Sequence, residues 1–267
     1  MHKFIRFNFL ITLLIINNNI WAHDFWLEAD PYLTDNGKTV EISVIIGNEL
    51  VGDSLPNIPN WYSDFTRFRD NTRIPIEGEL GSDPAGHFKP EVSGTHIIGY
   101  QSDLTNVTLD PDTFLKYLKM EGLDKAILYR EKNQQTQQSG KEDYFRHAKT
   151  LIQSGQDFSI DDSSREFGFE LEIIPQQNPY QKKINEQIDF KVLYQGKAEH
   201  DIMLIAFSKA NPTEEQRIRT DRNGLASITL NQKGIWLVKA VKIFRIQKDD
   251  ADWQSHWASL TFEVITK

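Results

Sequence analysis

The stretch "TDRNGLASITLNQKGIWLVKAV", residues 220–241, decides the reading of the fold. It alternates turn signals with apolar runs. "DRNG" and "NQKG" are rich in Asp, Asn and Gly, residues that tolerate tight turns. The runs that follow each turn read as strands, and Trp236 in the second is expected in the core. The same rhythm extends in both directions. "FGFELEII" (167–174), "QIDFKVLY" (187–194), "HDIMLIAFS" (200–208), "QRIRT" (216–220), "LASITL" (225–230), "IWLVKAVKIF" (235–244) and "HWASLTFEVI" (256–265) are strand candidates. Seven short strands in about one hundred residues fit an immunoglobulin-like sandwich.

Upstream, residues 23–110 also read as strands. "TVEISVIIG" (39–47) sets Val40, Ile42, Val44 and Ile46 on one face, the period of a half-buried strand. "GTHIIGYQS" (94–102) reads as another. Residues 111–153 are expected to be helical. "DPDTFLKYLKMEGLD" (110–124) begins with turn and cap residues, and Gly122 is its expected stop. "EDYFRHAKTLIQSG" (142–155) spaces Tyr144, Phe145, Ala148, Leu151 and Ile152 as one helical stripe. The polar stretch "SGQDFSIDDSSRE" (154–166) is placed as a boundary. The expectation is a mostly β chain of two β-sandwich-like domains, 23–165 and 166–267. The second is immunoglobulin-like, and a short helical insertion at about 111–153 lies between them.

The chain opens with Lys3 and Arg6, an apolar run "FNFLITLLII", and a polar stretch ending in the small Ala22. That layout reads as a secretory signal peptide, residues 1–22, with cleavage leaving His23 first. The run is shorter than the roughly 20 residues a spanning helix needs. No membrane span is expected in the mature chain, and the location is expected to be periplasmic or secreted. The chain carries 30 Lys and Arg against 38 Asp and Glu, a net charge of −8. Loss of Lys3 and Arg6 makes it more acidic still. That balance argues against nucleic acid and anionic membrane surfaces as partners. With no Cys, there are no disulfides and no thiolate ligands, so a metal must take His, carboxylate, amide or terminal nitrogen.

His23 is the first candidate ligand. A free amine and an imidazole on one residue form a bidentate chelate suited to nickel, cobalt, copper or zinc. His96, inside the apparent strand "GTHIIGYQS", is a second candidate, although a lone strand His is commonly a hydrogen-bonded structural residue. Asp24 offers a carboxylate, but strand alternation points it away from the His23 side chain. No two histidines show a local metal-binding spacing, so any site must be assembled across the fold. The adjacent acids Asp161–Asp162 and Asp249–Asp250 read as solvated surface. No GxSxG, phosphate loop or Rossmann glycine pattern occurs. Trp253 and Trp257 read as core and interface cover rather than as a sugar platform.

"AHDFWLE" after a signal peptide resembles the start of a bacterial periplasmic family, domain-of-unknown-function family 4198. "GTHIIGYQS", "FLKYLKMEGL", "EDYFRHAKTL", the 220–241 stretch and "DWQSHWASLTFEV" continue that resemblance in order. The family is loosely grouped with periplasmic components of nickel or cobalt uptake. The resemblance thus implies a divalent transition metal (nickel, cobalt or copper), a membrane metal transporter as partner, and His23 and His96 as ligands. One departure stands out: Lys242 occupies a place where the family pattern often has His. The expected function is transition-metal binding in the periplasm without catalysis. A non-catalytic scaffold that binds a protein or glycan, and a copper enzyme built on His23, are the alternatives.

Overall fold

A computed structural model describes residues 23–265; the signal-peptide reading falls on residues 1–22 and lies outside the described residues. The first part carries β1 (Asp24–Asp30), β2 (Leu33–Thr34), β3 (Val40–Asn48) and β4 (Val51–Leu55). Then come β5 (Tyr62–Arg69), β6 (Thr72–Pro75), β7 (Gly86–Phe88), β8 (Gly94–Ser102) and β9 (Thr105–Leu109). Two helices follow, α1 (Pro111–Met120) and α2 (Asp124–Lys132), then β10 (Gly140–Ser154) and β11 (Ile160–Asp161). The last part holds β12 (Leu171–Pro175), β13 (Gln187–Tyr194), β14 (Lys197–Ala198) and β15 (Met203–Ser208). It ends with β16 (Asn211–Arg219), β17 (Leu225–Thr229), β18 (Gly234–Arg245) and β19 (Trp253–Val264). The chain is mostly β, as its strand periods predict.

Local chemistry sets the element ends. In the turn before β17, Asp221 accepts from the amides of Asn223 and Leu225, and Gly224 takes a φ of 75°. That left-handed conformation costs a glycine little. The α1 helix starts at Asp110, whose carboxylate accepts from the amides of Asp112 and Thr113. It ends before Gly122, at φ 66°.

An eleven-stranded sheet is the spine, running β16-β15-β18-β19-β10-β8-β5-β6, with β2 and β9 also on β10 and β11 on β8. A small sheet, β1-β3-β4 with β7, covers part of one face. Phe25, Leu27, Ile42 and Val44 of that sheet pack on Ile98, Tyr100, Ala148 and Ile152 of the spine. The helical pair covers more of the same face, seating Phe114, Tyr117 and Leu118 against Val241, Trp253 and Trp257. The opposite face is covered by the sheet β12-β13-β14 with β17, where Ile173, Phe190 and Ile228 meet Trp236, Leu260 and Phe262.

Two expectations are corrected. Residues 140–154 form a strand, not a helix. Even positions of β10 face the small sheet and the helices, while odd positions face the other core. A strand buried on both faces loses its alternation and reads as continuous apolar sequence. The helical stripe from Tyr144 to Ile152 is a coincidence of that double burial. The second correction concerns the boundary near 165. Strand β10 pairs in parallel with β19 from Glu142↔Trp253 to Thr150↔Thr261, so both halves share one sheet. Each β-sandwich draws one of its layers from the common spine. No helix of the described residues is long and apolar enough to cross a membrane.

Candidate functional site

The small sheet, the helical pair and the spine meet at the head of β1. Asp24 projects toward β18, on the side of Trp26, which packs against Ile205, Phe207 and Leu237. The Lys239 ammonium lies 2.6 Å from Asp24 and 2.8 Å from Glu121, which follows α1. Burial works against charge on Lys239, but the carboxylates of Glu121 and Asp24 outweigh it and push its pKa up. The ion pair therefore fastens the first strand to the helical insertion and to β18.

The three residues read as metal ligands are placed apart. Asp24 is committed to Lys239. His23 is half-buried, and its Nδ1 lies 3.1 Å from Asn48 Nδ2. Nδ1 is the ring atom nearest the main-chain amine, so a chelate would have to displace Asn48. His96 is buried, with Nε2 3.1 Å from the Val92 carbonyl and its ring on Phe88. Burial lowers its pKa, so it stays neutral, held by hydrogen bonding.

His23 and His96 stand at opposite ends of β1. Phe25 packs on Tyr100 near the end of β8, whereas Tyr32 receives the amide of Gln153, whose strand neighbour is Thr95. The extended chain between Phe25 and Tyr32 spans roughly 20 Å. Among the described residues no group of three His, Asp or Glu side chains is arranged to hold a metal. His23, Asp24 and His96 do not fit a shared ion in this arrangement.

Sequence reasoning missed three other groupings, all involving β10. On its odd face His147 and His256 join, Nε2 to Nδ1, at 3.2 Å. Their rings are 9° from parallel with centroids 5.5 Å apart. That separation exceeds the N···N distance only by the two ring radii, so the nitrogens face each other along one line. This is a hydrogen bond; two lone pairs converging on an ion would bend that line. Burial first, then His256, pushes His147 down to about 3. Burial pushes His256 down to about 4. Phe145, Phe169, Tyr194 and Phe244 enclose the pair. Lys242 lies directly across from His256, paired with Glu199 at 2.6 Å and over the Tyr194 ring. Its ammonium further disfavours charge on His256.

On the even face Glu142 is sealed under the helices. It accepts from Tyr117 Oη at 3.1 Å and from the Ser255 hydroxyl, which in turn accepts from Trp257 Nε1 at 2.9 Å. Burial pushes Glu142 up to about 7. Farther along that face, the Arg146 guanidinium lies 5.1 Å from the ring centre of Phe25 and 4.8 Å from that of Tyr144. Burial lowers its pKa.

A cleft of about 320 Å³ opens between the start of α2 and the β14–β15 connection. Its cations are matched by acids: Lys125 with Asp201, Arg219 with Asp124 and Asp201, Lys242 with Glu199. Its wall is therefore internally neutralised.

A family model described as "Domain of unknown function (DUF4198)" matches residues 20–243. None of the curated proteins matches the chain. Among solved structures, the D0-D1 domain of Intimin is similar at 11% sequence identity with a TM-score of 0.21. That match covers 90% of this chain and 97% of that one.

Proposed function

We propose that this chain, which belongs to the DUF4198 family, is a non-catalytic binding protein working outside the cytoplasm, with its recognition surface at the head of β1. The leader-like start of the sequence supports the location. The observation that carries the surface is the buried Lys239 pair with Asp24 and Glu121. It fixes the head of β1 against the helical insertion and the spine before any ligand arrives, and preorganisation of that kind lowers the cost of binding. By contrast, three groups with displaced proton affinities, Glu142, His147 and His256, are enclosed in the packing. They serve the frame. Near the same end, Trp61 and Leu104 are 50% and 48% exposed, on the two sides of the Asp103 amide bond to the Trp61 carbonyl.

Hydrogen exchange on the exported protein tests this reading. Small anions, neutral aromatic solutes and divalent metals are added separately. Slowed exchange at residues 23–25, 100–102 and 144–146 is expected with at least one class. No change there with any class removes the proposal.

A second reading keeps the metal at His23, whose half-buried ring remains reachable. It requires cleavage after Ala22, so that the freed amine joins Nδ1 once Asn48 turns away. Nickel, cobalt, copper and zinc titrations compare the native terminus with a form carrying one extra residue ahead of His23. Tight binding lost on extension favours this reading; equal, weak binding by both forms removes it.

A further inference from the structure

We infer that Arg146, with the hydroxyls of Tyr100 and Tyr144, forms a recognition site for a small carboxylate carried on an apolar body. The inference rests on the binding reading above and names the ligand class of that surface.

The starting observation is an unanswered charge. Several other buried or half-buried cations have partners. Lys149 meets Glu172 at 2.9 Å, Lys239 meets two acids, and Arg165 meets Asp162 at 2.7 Å. Arg130 donates to the carbonyls of Thr136 and Gln138. Among the described residues the Arg146 guanidinium has no ion pair and no hydrogen bond. The rings of Phe25 and Tyr144 lie against it. Glu142 acts on it electrostatically but is four residues along the same strand face and already engaged by Tyr117 and Ser255. Ring faces stabilise a cation but accept no hydrogen bonds in the guanidinium plane. The fork of donors is left for a ligand.

The surroundings suit a carboxylate. The Tyr144 ring lies 4.8 Å from the guanidinium, and the phenol of Tyr100 acts on it electrostatically. Arg146 therefore has two phenol groups beside it that could add O–H donors to its own. A guanidinium fork matches a carboxylate with two parallel hydrogen bonds. Phe25 is itself buried beneath Arg146 and Tyr100, so the apolar wall open to a ligand is the half-buried ring of Tyr144. A ligand with a flat or apolar body would cover that wall while its carboxylate meets the fork. His23 lies two residues before Phe25, on the same side of β1, at the rim. The net charge of −8 repels polyanions at a distance. At physiological salt that field is screened beyond about 8 Å, so a single small anion is governed by the local donors.

Calorimetric titration of the exported full protein tests the assignment. The probes are sodium benzoate, sodium acetate, inorganic phosphate and, as the neutral control, benzyl alcohol. Saturable binding of benzoate, tighter than acetate or phosphate and absent for benzyl alcohol, is expected. Arg146→Met should weaken benzoate by about tenfold or more, the loss of a charge-assisted hydrogen bond. Tyr144→Phe and Tyr100→Phe, which remove only a hydroxyl, should each weaken it several-fold with circular dichroism unchanged. They carry the test if Arg146→Met does not fold. Benzoate failing to bind, phosphate binding more tightly, or variants binding like the wild type overturns the assignment. Benzyl alcohol bound at residues 23–25 and 144–146 regardless of Arg146 overturns the carboxylate but leaves the recognition surface standing. Absence of every probe from that surface overturns both.

Discussion

The ammonium of Lys239 lies 2.6 Å from the carboxylate of Asp24, a residue 215 positions earlier in the chain. Both are buried, and Glu121 is the third member of the group. Lys239→Met leaves two carboxylates enclosed without their cation. A loss of roughly 3–5 kcal/mol of stability is expected, the usual penalty for breaking a buried pair from one side. Adding Asp24→Asn to Lys239→Met should recover part of it. Urea unfolding of both variants measures this, and an unchanged midpoint for Lys239→Met would mean the pair anchors nothing.

Acid should weaken the fold through the histidine pair. His147 and His256 are pushed down to about 3 and about 4 from an ordinary 6.5. In the interval between, the unfolded chain takes up protons that the folded chain refuses. Stability is therefore lost as pH falls from about 6.5 toward 4, at up to roughly 1.4 kcal/mol per pH unit for each histidine. Replacing His256 with Gln should make the slope shallower in denaturant midpoints across that window.

Glu142 works in the opposite direction. Its carboxyl is raised from 4.5 to about 7, so the folded state holds a proton that the unfolded state releases. That contribution is full below pH 4.5 and is lost as pH rises through 7. Relative to Glu142→Gln, the wild type should gain up to about 3 kcal/mol as pH is lowered from 7 to 4.5. A constant difference between the two proteins over that range would place Glu142 in a wetter setting.

Gly140 opens β10 beneath the ring of Phe114. A Cβ built there would stand 2.3 Å from Phe114 Cγ. Gly140→Ala should push α1 off the spine at a cost of about 1–3 kcal/mol, the usual cost of overpacking. Thermal melting reads the loss, and Phe114→Leu in the same chain should relieve part of it.

The C-terminal strands were legible because their chemistry is local. "QIDFKVLY" spans β13 over the same residues, and "DRNG" makes the turn its residue types require. Strand β10 was not, because two cores cover it and its apolar positions do not alternate. That misreading also concealed the candidate site. Arg146 and Tyr144 sit together only because a strand puts alternate residues on one face. Placed on a helix, they would point apart. Asp24 was visible as a carboxylate next to His23, but its partner is in β18, beyond any local signal. The His147–His256 contact likewise depends on the parallel register of β10 with β19.

The most direct measurement of the central claim is an amide chemical-shift map of the exported protein during titration with benzoate. Saturable shifts are expected, concentrated at residues 23–25, 100–102 and 144–146 and lost in Arg146→Met. Shifts confined to the cleft beside α2, or none anywhere, would contradict it.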